Sequence, residues 1–235
     1  MIGNATTPIL CYVTDRQSLP GATASGDGDS NAALISSIER AASAGADWIQ
    51  VREKDLEARP LEALVRRAVE AIGGRARILV NDRLDVALAA GADGAHFGET
   101  SLPVARVAAW RAAVGRNKFA IGVSCHSAEA VRAAERAGAD YVFFGPVFAT
   151  PSKSSFGLPQ GLERLAAACH GARVPVLAIG GITEFNAADC FAAGAAGIAA
   201  IRMFQQEGNL AEIVAELHAM RAAGMEKNIR GENSR

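Results

Sequence analysis

One short phrase, repeated four times, constrains this chain more than any other feature. Gly45-Ala46-Asp47 precedes the apolar run Trp48-Ile49-Gln50-Val51, and Gly91-Ala92-Asp93 precedes Gly94-Ala95-His96-Phe97. Gly138-Ala139-Asp140 precedes Tyr141-Val142-Phe143-Phe144, and a degraded copy, Gly194-Ala195-Ala196, precedes Gly197-Ile198-Ala199-Ala200. Successive glycines are 46, 47 and 56 residues apart, which marks an internal repeat. Each copy follows an alanine-rich stretch that reads as a helix, such as 31–44 or 128–137. Glycine suits the left-handed position just past a helix end. The short, continuous apolar run that comes next is what a strand buried on both faces looks like.

A second apolar run lies between successive copies: Arg77 to Asn81, Phe119 to Ser124, and Val174 to Gly180. Ile9 to Thr14 opens the series, giving eight runs, each followed by a candidate helix, the last ending near Ala223. Eight βα units predict a single-domain α/β fold, a (β/α)8 TIM barrel over 1–224, with a polar tail over 225–235. A doubly wound open sheet has fewer strands and predicts no quarter-barrel repeat. The Gly-, Ser- and Asp-rich segment Gln17 to Asn31 reads as a loop after the first strand.

Composition narrows the function classes. The formal net charge of −1, from 24 basic and 25 acidic residues, argues against a broad electrostatic footprint for nucleic acid or an anionic membrane. Cys11, Cys125, Cys169 and Cys190 lie far apart, without metal or disulfide-framework spacing. No secretory signal and no long apolar window are visible, so a soluble cytoplasmic protein is expected. An apolar outer helix face leaves room for a homo-oligomer. Among the 24 basic residues only four are lysine, and two of these, Lys54 and Lys153, fall just past predicted strands.

In such barrels the active site is built from loops at the C-terminal strand ends, and polar residues collect there. After strand 2, Gln50, Arg52 and Lys54 share a parity that aims an amide, a guanidinium and an ammonium at the mouth, a set suited to a di- or monophosphate. The competing reading is a solvated strand end whose charges pair with Glu53 and Asp55. After strand 3, Asp82 of Asn81-Asp82-Arg83 is either a helix N-cap, the safer reading on spacing, or a ligand for Mg²⁺. After strand 5, Ser124 and His126 share strand parity, and Ser127 is a natural N-cap. After strand 6 comes a long loop with Thr150, Ser152 and Lys153, a candidate phosphate clamp or lid. Gly180-Gly181 after strand 7 and Ala200-Ile201 after strand 8 occupy the positions where these barrels often hold a phosphate.

Taken together, these blocks resemble thiamine phosphate synthases. The resemblance rests on Tyr12-Val13-Thr14-Asp15, Gln50-Val51-Arg52-Glu53-Lys54-Asp55, Asn81-Asp82-Arg83, Ile121 to His126, Gly145 to Lys153, and Ala178 to Ile182. It implies a transferase of thiamine biosynthesis that joins hydroxymethylpyrimidine diphosphate to thiazole phosphate and releases pyrophosphate. It implies that Gln50, Arg52, Lys54, Asn81, Ser124 and Lys153 hold the diphosphate and pyrimidine, and that Asp82 ligates Mg²⁺. Thr150 and Ser152 would lie at the thiazole, with Gly181 and the Ala200–Ile201 backbone at its phosphate. The family mechanism is dissociative: pyrophosphate leaves, and the thiazole nitrogen captures a pyrimidinylmethyl cation.

One departure from the family pattern matters. The second metal-binding aspartate after strand 4 falls at Ser101, within Gly98-Glu99-Thr100-Ser101, and Glu99 is the nearest replacement carboxylate. The same barrel also serves a metal-independent thiazole tautomerase that uses a histidine at the position of His126. A non-catalytic binder of thiamine precursors is the third reading.

Overall fold

Each Gly-Ala-Asp phrase is a helix stop followed by a strand staple. The computed structural model describes residues 7–20, 27–150, 159–206 and 208–220. Within these, β1 (Ile9–Val13), β2 (Trp48–Val51), β3 (Arg77–Asn81), β4 (Gly94–Phe97), β5 (Ala120–Cys125), β6 (Tyr141–Phe144), β7 (Val176–Ile179) and β8 (Gly197–Ala200) form a closed barrel. All neighbouring strands are parallel, and β8 pairs back onto β1 with Ile9 opposite Gly197. The expected (β/α)8 architecture is therefore the one observed.

Gly45, Gly91, Gly138 and Gly194 all have positive φ, and the alanine after each donates its N–H to a carbonyl five residues back. That geometry ends the helix. The aspartate then does something its sequence neighbourhood does not announce. Asp47, Asp93 and Asp140 each donate their own N–H to a carbonyl of the preceding strand, on Leu10, Ile78 and Ile121. Their carboxylates accept the N–H of those same residues at 2.7–2.8 Å. Each phrase thus clips an even strand to the odd strand before it. Ala196, in the degraded copy, keeps only the backbone half, donating to Val176.

The helices α1 (Asp27–Ala44), α2 (Ala58–Ile72), α3 (Leu84–Ala90), α4 (Val104–Ala113), α5 (Ala128–Arg136), α6 (Gly161–Cys169) and α7 (Ala187–Ala192) surround the barrel. After β8 come a short extra helix, α8 (Arg202–Gln205), and α9 over 210–220. Helix α1 begins at Asp27, so the loop expected from Gln17 to Asn31 is shorter than its composition implied. Asp and Ser, read there as turn residues, are also favoured in the first turn of a helix, where N–H groups lack partners. A 3-10 turn covers Arg16–Ser18. The tail expected over 225–235 lies outside the described residues.

Strand residues alternate between two cores, which is why the strands read as unbroken apolar runs. Ile49, Val51, Ile78, Val80, Ile121 and Val123 pack outward under the helices. Cys11, Trp48, Leu79, Tyr141, Phe143 and Leu177 fill the barrel. Trp48 and Tyr141 stack with ring centroids 4.7 Å apart. Gly122 makes this floor possible: a Cβ there would lie 2.0 Å from the Tyr141 ring. Truncating Trp48 to alanine would remove its central plug, at a cost of about 3–5 kcal/mol.

Candidate active site

Above that aromatic floor, the inward-facing positions turn polar. Gln50 lies in β2, Asn81 ends β3, His96 lies in β4 and Ser124 in β5, and all four follow the inward parity of their strands. Their hydrogen bonds have a direction that chemistry dictates. The Asp82 carboxylate, when ionised, only accepts, so Asn81 turns its NH₂ toward it (3.1 Å). Asn81 Oδ1 therefore faces Gln50 and accepts from its Nε2 at 3.0 Å. Gln50 is 2% exposed, and its remaining atom, Oε1, is buried with no hydrogen-bond partner among the described residues. A fixed acceptor without a partner is costly in a folded protein, and it marks where a donor from a ligand belongs.

Asp82 does not cap α3. Its φ of +59 turns it back toward the barrel, and Arg83 occupies the N-cap position of α3 without a side-chain cap. Asp82 Oδ1 accepts the Gly98 N–H at 3.2 Å and the hydroxyl of Ser101. The serine at the position of the missing acid is thus a donor to the acid that remains. Glu99 is exposed, and the hydrogen-bond partners of the Asp82 carboxylate among the described residues are Asn81, Gly98 and Ser101. Among the described residues no three His, Cys, Asp or Glu side chains cluster as a metal site.

The strand-2 block departs from the simple parity argument. Strand β2 stops at Val51, so Arg52 and Lys54 lie on the loop beyond it, Arg52 half-buried and Lys54 exposed. The acids beside them do not pair with them. Asp55 takes a bidentate bond from Arg16 at 2.7 and 2.8 Å, which holds its carboxyl below the usual range. Glu53 is buried, accepts the Thr14 hydroxyl and the Arg16 N–H, and is pushed upward by burial. Among the described residues neither Arg52 nor Lys54 has an ion-pair partner.

In the strand-5 block, Ser127 caps α5 by accepting the Ala130 N–H at 3.1 Å, as expected. Cys125 faces outward and burial pushes its thiol up to about 12, so Cys125 does not serve as a thiolate nucleophile at neutral pH. His126 donates from Nδ1 to the Gly145 carbonyl, which leaves Nε2 without a proton in the neutral ring. Thr150 is half-buried beyond β6, whereas Ser152 and Lys153 lie outside the described residues. Gly181 has φ +67, and a Cβ there would come within 2.7 Å of Ala149 O and Phe148 Cβ. The loops after β6 and β7 are laced together by Phe148 N–H to Gly180 O (3.0 Å). Ala200 is buried and Ile201 half-buried at the start of α8.

Sequence reasoning missed His96, Tyr141, Thr14 and Glu53. For His96 a signal existed: it is the third residue of its repeat run, the same inward position that Gln50 holds in the first copy.

Known proteins share this sequence and fold. The sequence profile described as thiamine monophosphate synthase matches residues 22–204. A putative thiamine-phosphate synthase from Geobacter sulfurreducens is 48% identical over 171 residues, 72% of this chain and 78% of that one. The thiamine-phosphate synthase of Chlorobium luteolum is 40% identical over 199 residues, 83% of this chain and 84% of its own. The solved thiamine phosphate pyrophosphorylase from Pyrococcus furiosus superposes with a TM-score of 0.74 at 30% identity, covering 94% of this chain and 98% of that one. On sequence and fold alike, the chain belongs to the thiamine monophosphate synthase family.

Proposed function

We propose that this barrel mouth condenses 4-amino-2-methyl-5-hydroxymethylpyrimidine diphosphate with thiazole phosphate, giving thiamine phosphate and pyrophosphate. The observation that carries the reading is the buried Gln50 Oε1, which has no partner among the described residues. The relay from Asp82 through Asn81 fixes it as an acceptor, and an aminopyrimidine supplies the N–H donor it lacks.

The diphosphate then extends toward Arg52 and Lys54, with Ser124 and Lys153 as further donors. Positive charge held there stabilises negative charge as it gathers on the leaving pyrophosphate. The C–O bond to the diphosphate breaks, and the nitrogen of the thiazole captures the pyrimidinylmethyl cation, so the reaction needs no protein nucleophile. Thr150 and Ser152 border the thiazole, while Gly181 and the Ala200–Ile201 backbone hold its phosphate beside the short helix α8.

Mg²⁺ fits this donor set through one carboxylate. Asp82 Oδ1 already takes two donors, but Oδ2 takes only Asn81 among the described residues, and Mg²⁺ commonly binds one or two carboxylates together with substrate phosphates. Asp82 would hold it, with Glu99, exposed just after β4, as the candidate second carboxylate. Bound there, the ion adds positive charge against the leaving group. The free cysteines agree with a reducing, cytoplasmic setting.

A second reading has one specific support. His126, with Nδ1 held by Gly145 O, presents Nε2 as a base, the arrangement a thiazole tautomerase requires. Replacing Gln50 by alanine tests between the two. The synthase reading expects a KM for pyrimidine diphosphate raised about tenfold by loss of the amide bond, with the KM for thiazole phosphate unchanged. A tautomerase would not respond to the pyrimidine at all.

A further inference from the structure

Beneath Ser124 runs a chain of three side chains across three strands. Tyr141 OH lies 3.1 Å from His96 Nδ1, and His96 Nε2 lies 3.0 Å from Ser124 Oγ. At first sight the second contact is a serine–histidine pair of the kind that activates a nucleophile, in which the imidazole accepts the hydroxyl proton. The third member reverses that polarity.

Tyr141 is 0% exposed and enclosed by Trp48, Phe143 and the space left by Gly122. Burial pushes its phenol well above the ordinary value, so the O–H proton stays on. That proton needs an acceptor, since a buried donor without one is destabilising, and its partner in the structure is His96 Nδ1. Nδ1 must then carry no hydrogen. In a neutral imidazole the proton consequently sits on Nε2, and Nε2–H donates to Ser124 Oγ. A serine oxygen that accepts from the histidine keeps its own proton for another acceptor, and Ser124 is half-buried at the mouth.

We propose that Tyr141 and His96 are positioning residues that hold Ser124 as a hydrogen-bond donor to the diphosphate leaving group, and thereby prevent it from acting as a histidine-activated nucleophile. The inference rests on the synthase reading for the identity of the acceptor. No proton is transferred: the leaving oxygen gains a hydrogen bond, and the bond to carbon breaks with its electron pair going to pyrophosphate. Gly122 belongs to the same device. It pairs in register with both His96 and Tyr141, and its missing side chain is what lets the phenol reach the imidazole.

The test combines a spectrum and a cycle of variants. In the full chain labelled with ¹⁵N-histidine, NMR reads the tautomer of His96, its signals identified by their loss in His96→Gln. The expected result is Nε2–H in the wild type and a shift toward Nδ1–H in Tyr141→Phe. In steady-state synthesis, Tyr141→Phe and Ser124→Ala each lower kcat about tenfold, the worth of one hydrogen bond to a charged group. The double variant is no slower than Ser124→Ala alone, because Tyr141 acts only through Ser124. Multiplying losses in the double variant would make Tyr141 a structural residue and overturn the proposal. So would an Nδ1–H tautomer in an active wild type, a result that needs no variant to fold. A wild-type chain that makes no thiamine phosphate would instead overturn the synthase reading, and with it the role of Ser124 toward a diphosphate.

Discussion

Thr14 donates its hydroxyl to Glu53 Oε1 at 2.6 Å, and the same Thr14 oxygen accepts the Arg52 N–H at 2.9 Å. A buried acid thus anchors the backbone of the loop that carries Arg52 and Lys54. Arg16 completes the clamp from the other side, through its N–H to Glu53 and its guanidinium to Asp55. Glu53→Ala would take from the Thr14 hydroxyl and the Arg16 backbone N–H the carboxylate they donate to. Stability to urea is expected to fall by about 1–3 kcal/mol, and the KM for pyrimidine diphosphate to rise because Arg52 is no longer aimed. Unchanged values of both would remove Glu53 from this role.

The same carboxyl gives a pH signature. Burial holds Glu53 above its ordinary value, so between the unfolded and folded pKa the folded state binds the proton more tightly. Its contribution is most favourable below the unfolded value, near pH 4.3 for a free glutamate, and declines as pH rises toward the folded one. Glu53→Gln cannot titrate. Urea unfolding from pH 4 to 7.5 should therefore show the wild type losing stability relative to Glu53→Gln as pH rises. A difference moving the other way would mean that the attraction of Arg16 outweighs burial.

Ser101 donates to Asp82 where a second carboxylate would bind metal. Ser101→Asp would place two acids together, so the metal-free protein should melt lower and Mg²⁺ should restore it. The half-saturating Mg²⁺ concentration, read by thermal shift and by activity, is expected to drop on the order of tenfold with the added charge. An unchanged midpoint would show that Asp82 and Ser101 do not face the metal.

Gly181 tests the phosphate end. Its positive φ and the 2.7 Å approach of Ala149 O mean that Gly181→Ala must shift the loop between β7 and α7. The expected result is a higher KM for thiazole phosphate with little change for the pyrimidine diphosphate. Equal effects on both substrates would separate this loop from the thiazole phosphate.

Much of this was legible in the sequence because Gly-Ala-Asp is a physical unit. The glycine ends a helix, and the aspartate staples two strands; both roles need those residues at that spacing. The inward aim of Gln50 and Ser124 followed from strand parity. Parity does not reach Arg52 and Lys54, because β2 ends at Val51 and alternation has no meaning in a loop. Asp82 looked like a cap because nothing in Asn81-Asp82-Arg83 announces a positive φ at a non-glycine residue. Glu53 looked solvated because its partners, Thr14 and Arg16, are nearly forty positions away. The His96 relay depends on the register of β4, β5 and β6, which places Gly122 between His96 and Tyr141. Periodicity within one strand carries no information about such cross-strand register.

The most direct test of the central claim is a product assay. Purified protein is mixed with pyrimidine diphosphate, thiazole phosphate and Mg²⁺, and thiamine phosphate and pyrophosphate are followed together, with EDTA as the control. The account predicts equimolar formation of both products, abolished by EDTA. Absence of both products, with isomerisation of the thiazole alone that disappears in His126→Asn, would contradict it and assign the mouth to the tautomerase.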